Sequence, residues 1–296
     1  MGQSEIDPLT GVETTGHDFD GIKELKNPIQ KWWIMVFFGC VAFAIGQVYL
    51  APSWPGADAA YSGALIPTNR EALVVDMAEA QRAQQDRLDE IAALEVSDIL
   101  ETEELLSYAA QGGEAAFNVN CAGCHGVGAG GQLGYFPNLA DDDWLWGGAP
   151  DQIHETILYG VRSEHDDARY SEMPRYGVDE LLTQAEIESV ARYVMTLSDQ
   201  AKTASLSGTP GAEIYAEQCS ACHGDIGEGI VDLGAPALND FVWLYAGDGQ
   251  GNPVYEKLVA QIYNPRLGVM PSWTGRISDE TIKMLAVYVH GLGGGR

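Results

Sequence analysis

Residues 121–125 read Cys-Ala-Gly-Cys-His, and residues 219–223 read Cys-Ser-Ala-Cys-His. Two thiols on one helical turn can each form a thioether to the same haem, and the histidine that follows is then held beneath the iron. This is the signature of c-type haem attachment. Cys121, Cys124, Cys219 and Cys222 are expected to bind two haems c covalently, with His125 and His223 as iron ligands. Two Cys-x-x-Cys pairs can also build a four-thiolate zinc site, but here the pairs stand far apart and each runs directly into a histidine. A thioredoxin-like redox pair would need a strand–helix setting that the flanking sequence lacks.

The two motifs lie in an internal repeat. Cys121 and Cys219 are 98 residues apart. Pro137-Asn-Leu-Ala-Asp141-Asp-Asp-Trp144-Leu145 recurs as Pro236-Ala-Leu-Asn-Asp240-Phe-Val-Trp243-Leu244, Met173-Pro174 as Met270-Pro271, and Ala191-Arg-Tyr193-Val194 as Ala286-Val-Tyr288-Val289. Landmarks in one order at nearly one offset define two copies of one unit. Phe117 and Tyr215 each precede the first cysteine of a motif by four residues, on the same helical face. Helices are expected after Thr183 and Ser278, from capping residues followed by apolar residues at helical spacing. Neither copy contains a convincing run of strands, so the fold class is mainly α.

A second axial ligand calls for a soft donor. Met173 lies 48 residues after His125 and Met270 lies 47 after His223, each before a proline that fixes the loop. They are the candidates; Met195, Met284, His154, His165 and His290 have no counterpart of the same type in the other copy. Each methionine is assigned to its own copy, although the crossed pairing is compatible with the same sequence. Six-coordinate His/Met iron has no open position for substrate and suits one-electron transfer. Arg162 and Arg266, each three residues after a tyrosine, are candidate propionate partners or surface residues. Trp144 and Trp243 are expected to pack on the haem or the core.

Upstream, residues 32–50 read WWIMVFFGCVAFAIGQVYL, with no charge. A helix of this length matches the roughly 30 Å hydrocarbon core of a bilayer, and Trp32, Trp33, Tyr49 and Trp54 are suited to its two interfaces. Pro52 and Pro55 are expected to end the helix. The run begins too far from the N-terminus, behind six acidic residues, for an ordinary signal peptide. Lys23, Lys26 and Lys31 precede it and the next base is Arg70, which places the N-terminus in the cytoplasm and the remainder outside. Cys40 reads as a small apolar residue within this helix.

With 43 acidic against 16 basic residues the formal charge is −27, which disfavours nucleic-acid binding and suits a basic protein partner at low salt. The expected organisation is a cytoplasmic segment at 1–31, a transmembrane helix at 32–50, a connector with a helix at 51–107, and two tandem class I cytochrome c domains at 108–200 and 208–296. Residues 51–61 read as an irregular connector. Asn69 to Leu94 reads as a surface helix or stalk.

The combination of NPIQKWWIMVFFGCVAFAIG at residues 27–46 with two Cys-x-x-Cys-His units and Met-Pro loops resembles the dihaem subunit (subunit III) of cbb3-type cytochrome c oxidases. Asn27-Pro28 ahead of Trp32-Trp33 is the more discriminating part, because the haem motifs occur in many cytochromes. The resemblance implies a non-catalytic electron-transfer subunit of an oxidoreductase complex. Its partners would be a haem–copper catalytic subunit that reduces oxygen and a monohaem cytochrome subunit. Electrons would pass from a cytochrome c donor through the two haems to the catalytic subunit. An anchored dihaem cytochrome serving a periplasmic dehydrogenase, or acting as a free carrier, is the alternative. A dihaem peroxidase would need an open distal position, which the paired methionines argue against.

Overall fold

A computed structural model of the chain describes residues 3–52, 54, 55, 61 and 63–293. Most of the connector read at 51–61 lies outside the described residues. The chain divides into two compact units, residues 1–83 and 84–296.

In the first unit, strands β1 (Thr14–Phe19) and β2 (Ile22–Leu25) form an antiparallel hairpin that the sequence reading did not anticipate. Asp20 and Gly21 both have positive φ, 55° and 89°, the backbone of the tight turn that Asp-Gly favours. The Gly21 N–H donates to Asp18 Oδ1 at 2.6 Å. Helix α1 (Lys31–Leu50) follows and is apolar on every side, with no residue buried by the rest of the chain. Its 20 residues are long and apolar enough to cross a membrane. Helix α2 (Asn69–Ala93) opens on a reciprocal cap in which the Thr68 N–H donates to the Glu71 carboxylate and the Glu71 N–H to Thr68 Oγ1.

The second unit is helical. Helices α3 (Val96–Glu101), α4 (Glu103–Asn120), α5 (Ala122–His125), α6 (Pro150–Tyr159), α7 (Gln184–Val194) and α8 (Gln200–Ser205) come first. They are followed by α9 (Pro210–Gln218), α10 (Ser220–His223), α11 (Tyr255–Tyr263) and α12 (Asp279–Gly291). Helix α7 starts at the capping box read from the sequence, with Glu186 accepting from the Thr183 N–H at 2.7 Å.

These helices build two hydrophobic cores, and the cores cut the chain differently from the repeats. In the first core α4 and α6 pack with α12, the last helix of the second repeat. In the second, α9 and α11 pack with α7, the last helix of the first repeat. Each repeat thus gives its C-terminal helix to the other's core. Glycine permits the α4–α12 crossing: a Cβ at Gly113 would collide with the Met284 carbonyl, and one at Gly112 would meet Met284 Sδ at 2.6 Å. The α7–α9 crossing uses Gly211 against the Ser189 carbonyl in the same way. Each crossing also carries an aromatic pair, Phe117 with Tyr288 at 5.4 Å and Tyr193 with Tyr215 at 5.3 Å between ring centroids.

The helix read from Asn69 to Leu94 has no buried residue before Ile91, and its end and the helix after it enter a core. Ile91, Val96 and Ile99 are fully buried in the first core. Lys283 of α12 donates its ammonium to the carbonyls of Ala92 and Leu94 at 2.8 and 2.6 Å, satisfying groups left open at the end of α2.

Candidate functional site

In both cores a helix delivers the first cysteine and one further turn delivers the rest of the motif. Helix α4 ends at Cys121, whose N–H donates to the Phe117 carbonyl at 2.8 Å, and α5 carries Cys124 and His125. Helix α9 ends at Cys219, whose N–H donates to the Tyr215 carbonyl at 2.9 Å, and α10 carries Cys222 and His223. Phe117 and Tyr215 are buried one turn earlier and fix each helix end to its core. The Tyr215 hydroxyl also donates to the Gly224 carbonyl at 2.8 Å, closing the loop behind the second motif.

No disulfide joins the four motif cysteines. Burial, and then the neighbouring cysteine, pushes Cys121 and Cys219 each up to about 11. The two pairs sit in separate cores. No cluster of three or more potential metal-binding His, Cys, Asp or Glu side chains forms among the described residues, so the four-thiolate zinc alternative is not assembled.

The repeated Pro-x-Leu-x-Asp motif has a task that the sequence reading missed. His125 Nδ1 lies 3.1 Å from the Pro137 carbonyl, and His223 Nδ1 lies 2.9 Å from the Pro236 carbonyl. A proton on Nδ1 donated to that carbonyl leaves Nε2 with a free lone pair, the tautomer a metal-bound imidazole needs. Burial lowers the pKa of both histidines and favours the neutral ring. The signal was present in sequence as the same proline 12 or 13 residues after each histidine.

Each methionine packs in the core of the other repeat, not of its own. Met270 packs in the first core with Cys121, Leu139 and Trp144. Its backbone pairs with Val161, at the end of α6, at 3.0 Å in both directions. Ser272 Oγ and Thr274 Oγ1 each donate to the Leu158 carbonyl at 2.8 Å. Met173 packs in the second core with Cys219, Leu238 and Trp243. Its loop is tied there by Tyr176, whose hydroxyl donates to the carbonyl of Gln218, next to Cys219, at 2.6 Å. The same exchange that carries α7 and α12 across also carries the methionine loops. The fold therefore sets each methionine loop in the core that holds the Cys-x-x-Cys-His turn of the other repeat.

The remaining candidates divide. Arg162 donates to two backbone carbonyls, through Nε to Gly268 at 2.7 Å and through Nη1 to Ser171 at 3.0 Å. Arg266 instead stands over the rings of Tyr135 and Tyr245, 5.3 Å from each centroid. Trp144 Nε1 donates to the Asp141 carbonyl at 3.0 Å, whereas Trp243 Nε1 is buried without a partner. Trp146 Nε1 and Arg169 Nε are likewise buried and unpartnered, with the Arg169 guanidinium 5.5 Å from the Trp146 ring. Three buried donors lacking acceptors are a cost unless an acceptor arrives. The carboxylates of haem propionates would meet that need, so the residues fit the cofactor that the cysteines imply.

Close by, Asp141 and Asp240, equivalent positions of the two repeats, act on Asp143 together. Burial, then the charges of Asp240 and Asp141, push its carboxyl up to about 7. Burial raises Asp141 and Asp240 as well.

Comparison with known proteins agrees with these features. The family model described as the N-terminal domain of cytochrome oxidase-cbb3, FixP, matches residues 11–58. The model described as cytochrome c oxidase, cbb3-type, subunit III matches twice, at 109–194 and 207–289. The chain is 43% identical to the cbb3-type cytochrome c oxidase subunit FixP of Bradyrhizobium sp. (strain ORS 278) over 99% of both chains. It is 43% identical to the subunit CcoP of Azospirillum brasilense over 100% of both chains. It is equally identical to the CcoP of Cereibacter sphaeroides over 95% of both chains.

Proposed function

The chain belongs to the family of subunit III of cbb3-type cytochrome c oxidases, and from that premise we propose that it carries two haems c and relays electrons to the haem–copper catalytic subunit of such an oxidase. The donor is a cytochrome c, and the monohaem cytochrome subunit is a further partner. Helix α1 anchors the chain once in the bacterial inner membrane, with residues 1–31 cytoplasmic and the two cores periplasmic, a reading the lysines before the span support.

Each haem, when bound, supplies a metal centre that takes up and releases one electron. The protein holds that centre and sets its properties. Cys121 and Cys124 tether one haem, Cys219 and Cys222 the other. His125 and His223 offer Nε2 while the Pro137 and Pro236 carbonyls keep their Nδ1 protons in place. Met270 completes the first site and Met173 the second. With Met270 and Met173 as second ligands, neither site would leave an opening for oxygen or peroxide, and a thioether ligand would raise the reduction potential. The buried N–H groups of Trp146, Trp243 and Arg169 are available to the propionates. The acidic surface attracts a basic donor and leaves it free to dissociate as screening rises.

The observation that carries this reading is the duplicated arrangement itself. Each core presents a Cys-x-x-Cys-His turn and a methionine loop together, in a chain whose relatives along its whole length are oxidase subunits. Purification of the membrane complex through this chain tests it. The account expects a haem–copper subunit to co-purify and ascorbate-reducible c-type absorbance equivalent to two haems per chain. Isolation without a haem–copper subunit, or with one haem, would contradict it.

A further inference from the structure

We propose that Arg162 is a shared positioning residue that holds both axial-methionine loops, so that one side chain adjusts the ligation of both haems. The proposal rests on the reading of Met173 and Met270 as the axial ligands. Arg162 Nε donates to the Gly268 carbonyl at 2.7 Å, two residues before Met270. Arg162 Nη1 donates to the Ser171 carbonyl at 3.0 Å, two residues before Met173. One planar guanidinium therefore spans two loops that belong to different repeats and serve different cores.

The backbone around Arg162 is fixed on three sides. Val161 pairs with Met270, the Arg162 N–H donates to the Arg169 carbonyl at 2.7 Å, and the Arg169 N–H donates to the Gly160 carbonyl at 3.0 Å. Arg162 itself has φ 50°, in the left-handed region that a non-glycine residue occupies only when its surroundings enforce it. Its guanidinium is half-buried, so these charge-assisted bonds are partly shielded from water. The rigid fork of arginine can reach two separated carbonyls in one plane, which the single ammonium of lysine cannot reproduce. Arg266, at the corresponding place in the second repeat, is engaged with Tyr135 and Tyr245 and performs no such bridging. The pseudo-symmetric pair has thus divided, and one member serves both sites.

Position matters because the iron–sulfur bond of a methionine ligand depends on where its loop holds the sulfur, and methionine ligation raises the potential. The test uses the full chain in its assembled, haem-loaded complex, with Arg162→Gln, Arg162→Lys and the remote surface variant Arg87→Gln. Redox titration is combined with the near-infrared iron–methionine charge-transfer band. Arg162→Gln is expected to lower the midpoint potentials of both haems and to weaken the band of both. Arg162→Lys should do so to a smaller extent, and Arg87→Gln should leave both unchanged. A shift confined to one haem, or absent from both, overturns the proposal. If Arg162→Gln does not accumulate, Arg162→Lys carries the test with the same two-haem criterion. Met173→Ala and Met270→Ala, measured alongside, test the axial reading separately. Survival of both bands in those variants sinks the axial assignment. Loss of one band in each, beside an unaltered Arg162→Gln spectrum, sinks only the role of Arg162.

Discussion

Met270 and Val161 exchange backbone hydrogen bonds at 3.0 Å in each direction, although they come from different sequence repeats. That small antiparallel contact brings the methionine loop of the second repeat to the end of α6, beside the first Cys-x-x-Cys-His turn. Its counterpart is the Tyr176 hydroxyl on the Gln218 carbonyl, which secures the methionine loop of the first repeat beside the second turn. An exchange in both directions makes the two sites mechanically dependent. Neither core can close unless the other repeat is folded against it.

The α4–α12 crossing should be the most size-sensitive point of the first core. Gly113→Ala puts a methyl group into the Met284 backbone, which is a strand of main chain and not a flexible side chain. Overpacking of this kind costs about 1–3 kcal/mol. Chemical denaturation should show a loss in that range. A change below about 0.5 kcal/mol, the usual scale for a surface substitution, would mean that the crossing is looser than described.

Lys283 joins the end of α2 to α12 through the Ala92 and Leu94 carbonyls. Lys283→Met keeps most of the stem and removes the charged donors, leaving those carbonyls short of partners. Charge-assisted bonds of this type contribute about 1.5–3 kcal/mol. Amide exchange in residues 91–101 should accelerate in the variant while residues 210–218 keep their protection. Equal acceleration of both segments would show that Lys283 does not act locally.

Asp143 predicts a pH dependence of definite sign. Its carboxyl titrates near 7 in the folded chain, against an ordinary value of 3.8, because burial and the charges of Asp240 and Asp141 oppose ionisation. Between those values the folded state holds a proton that the unfolded state releases. The contribution of Asp143 to stability is therefore complete below about 3.8 and is lost as pH rises through about 7. Asp143→Asn should flatten the stability profile across that window and be the more stable protein at pH 8. Denaturation midpoints from pH 4 to 8 measure it, and parallel profiles for variant and wild type would refute the linkage.

The parts of this molecule that were legible in sequence are those encoded locally. Cys-x-x-Cys-His needs only five consecutive residues, the apolar run of α1 needs only its own composition, and Thr183 with Glu186 caps a helix within one turn. The exchange between repeats was not legible for a physical reason. Both copies place histidine, Pro-x-Leu-x-Asp and methionine at nearly equal intervals, so either pairing satisfies the same spacings. What distinguishes them is tertiary, as in the fit of Met284 and Tyr288 against Gly112 and Gly113 and of Ser189 against Gly211. Asn69 to Leu94 presented helical periodicity without a visible partner, and only its end, at Ile91, enters the first core, where Lys283 of α12 reaches the Ala92 and Leu94 carbonyls. Arg162 and Arg266 occupy equivalent sequence positions, and nothing near either one reveals that the first bridges two loops while the second lies between tyrosine rings. The hairpin at Thr14–Leu25 was not legible because its two strands are short and mostly exposed, so no apolar alternation marks them.

The crossed ligation is tested most directly in a chain that can hold only the first haem, Cys219→Ala/Cys222→Ala, into which Met270→Ala or Met173→Ala is introduced. The remaining haem is then followed by its iron–methionine charge-transfer band and its midpoint potential. The account predicts that Met270→Ala abolishes the band and lowers the potential, while Met173→Ala leaves the band in place. Loss of the band with Met173→Ala and its survival with Met270→Ala would contradict the exchange on which both sites are built.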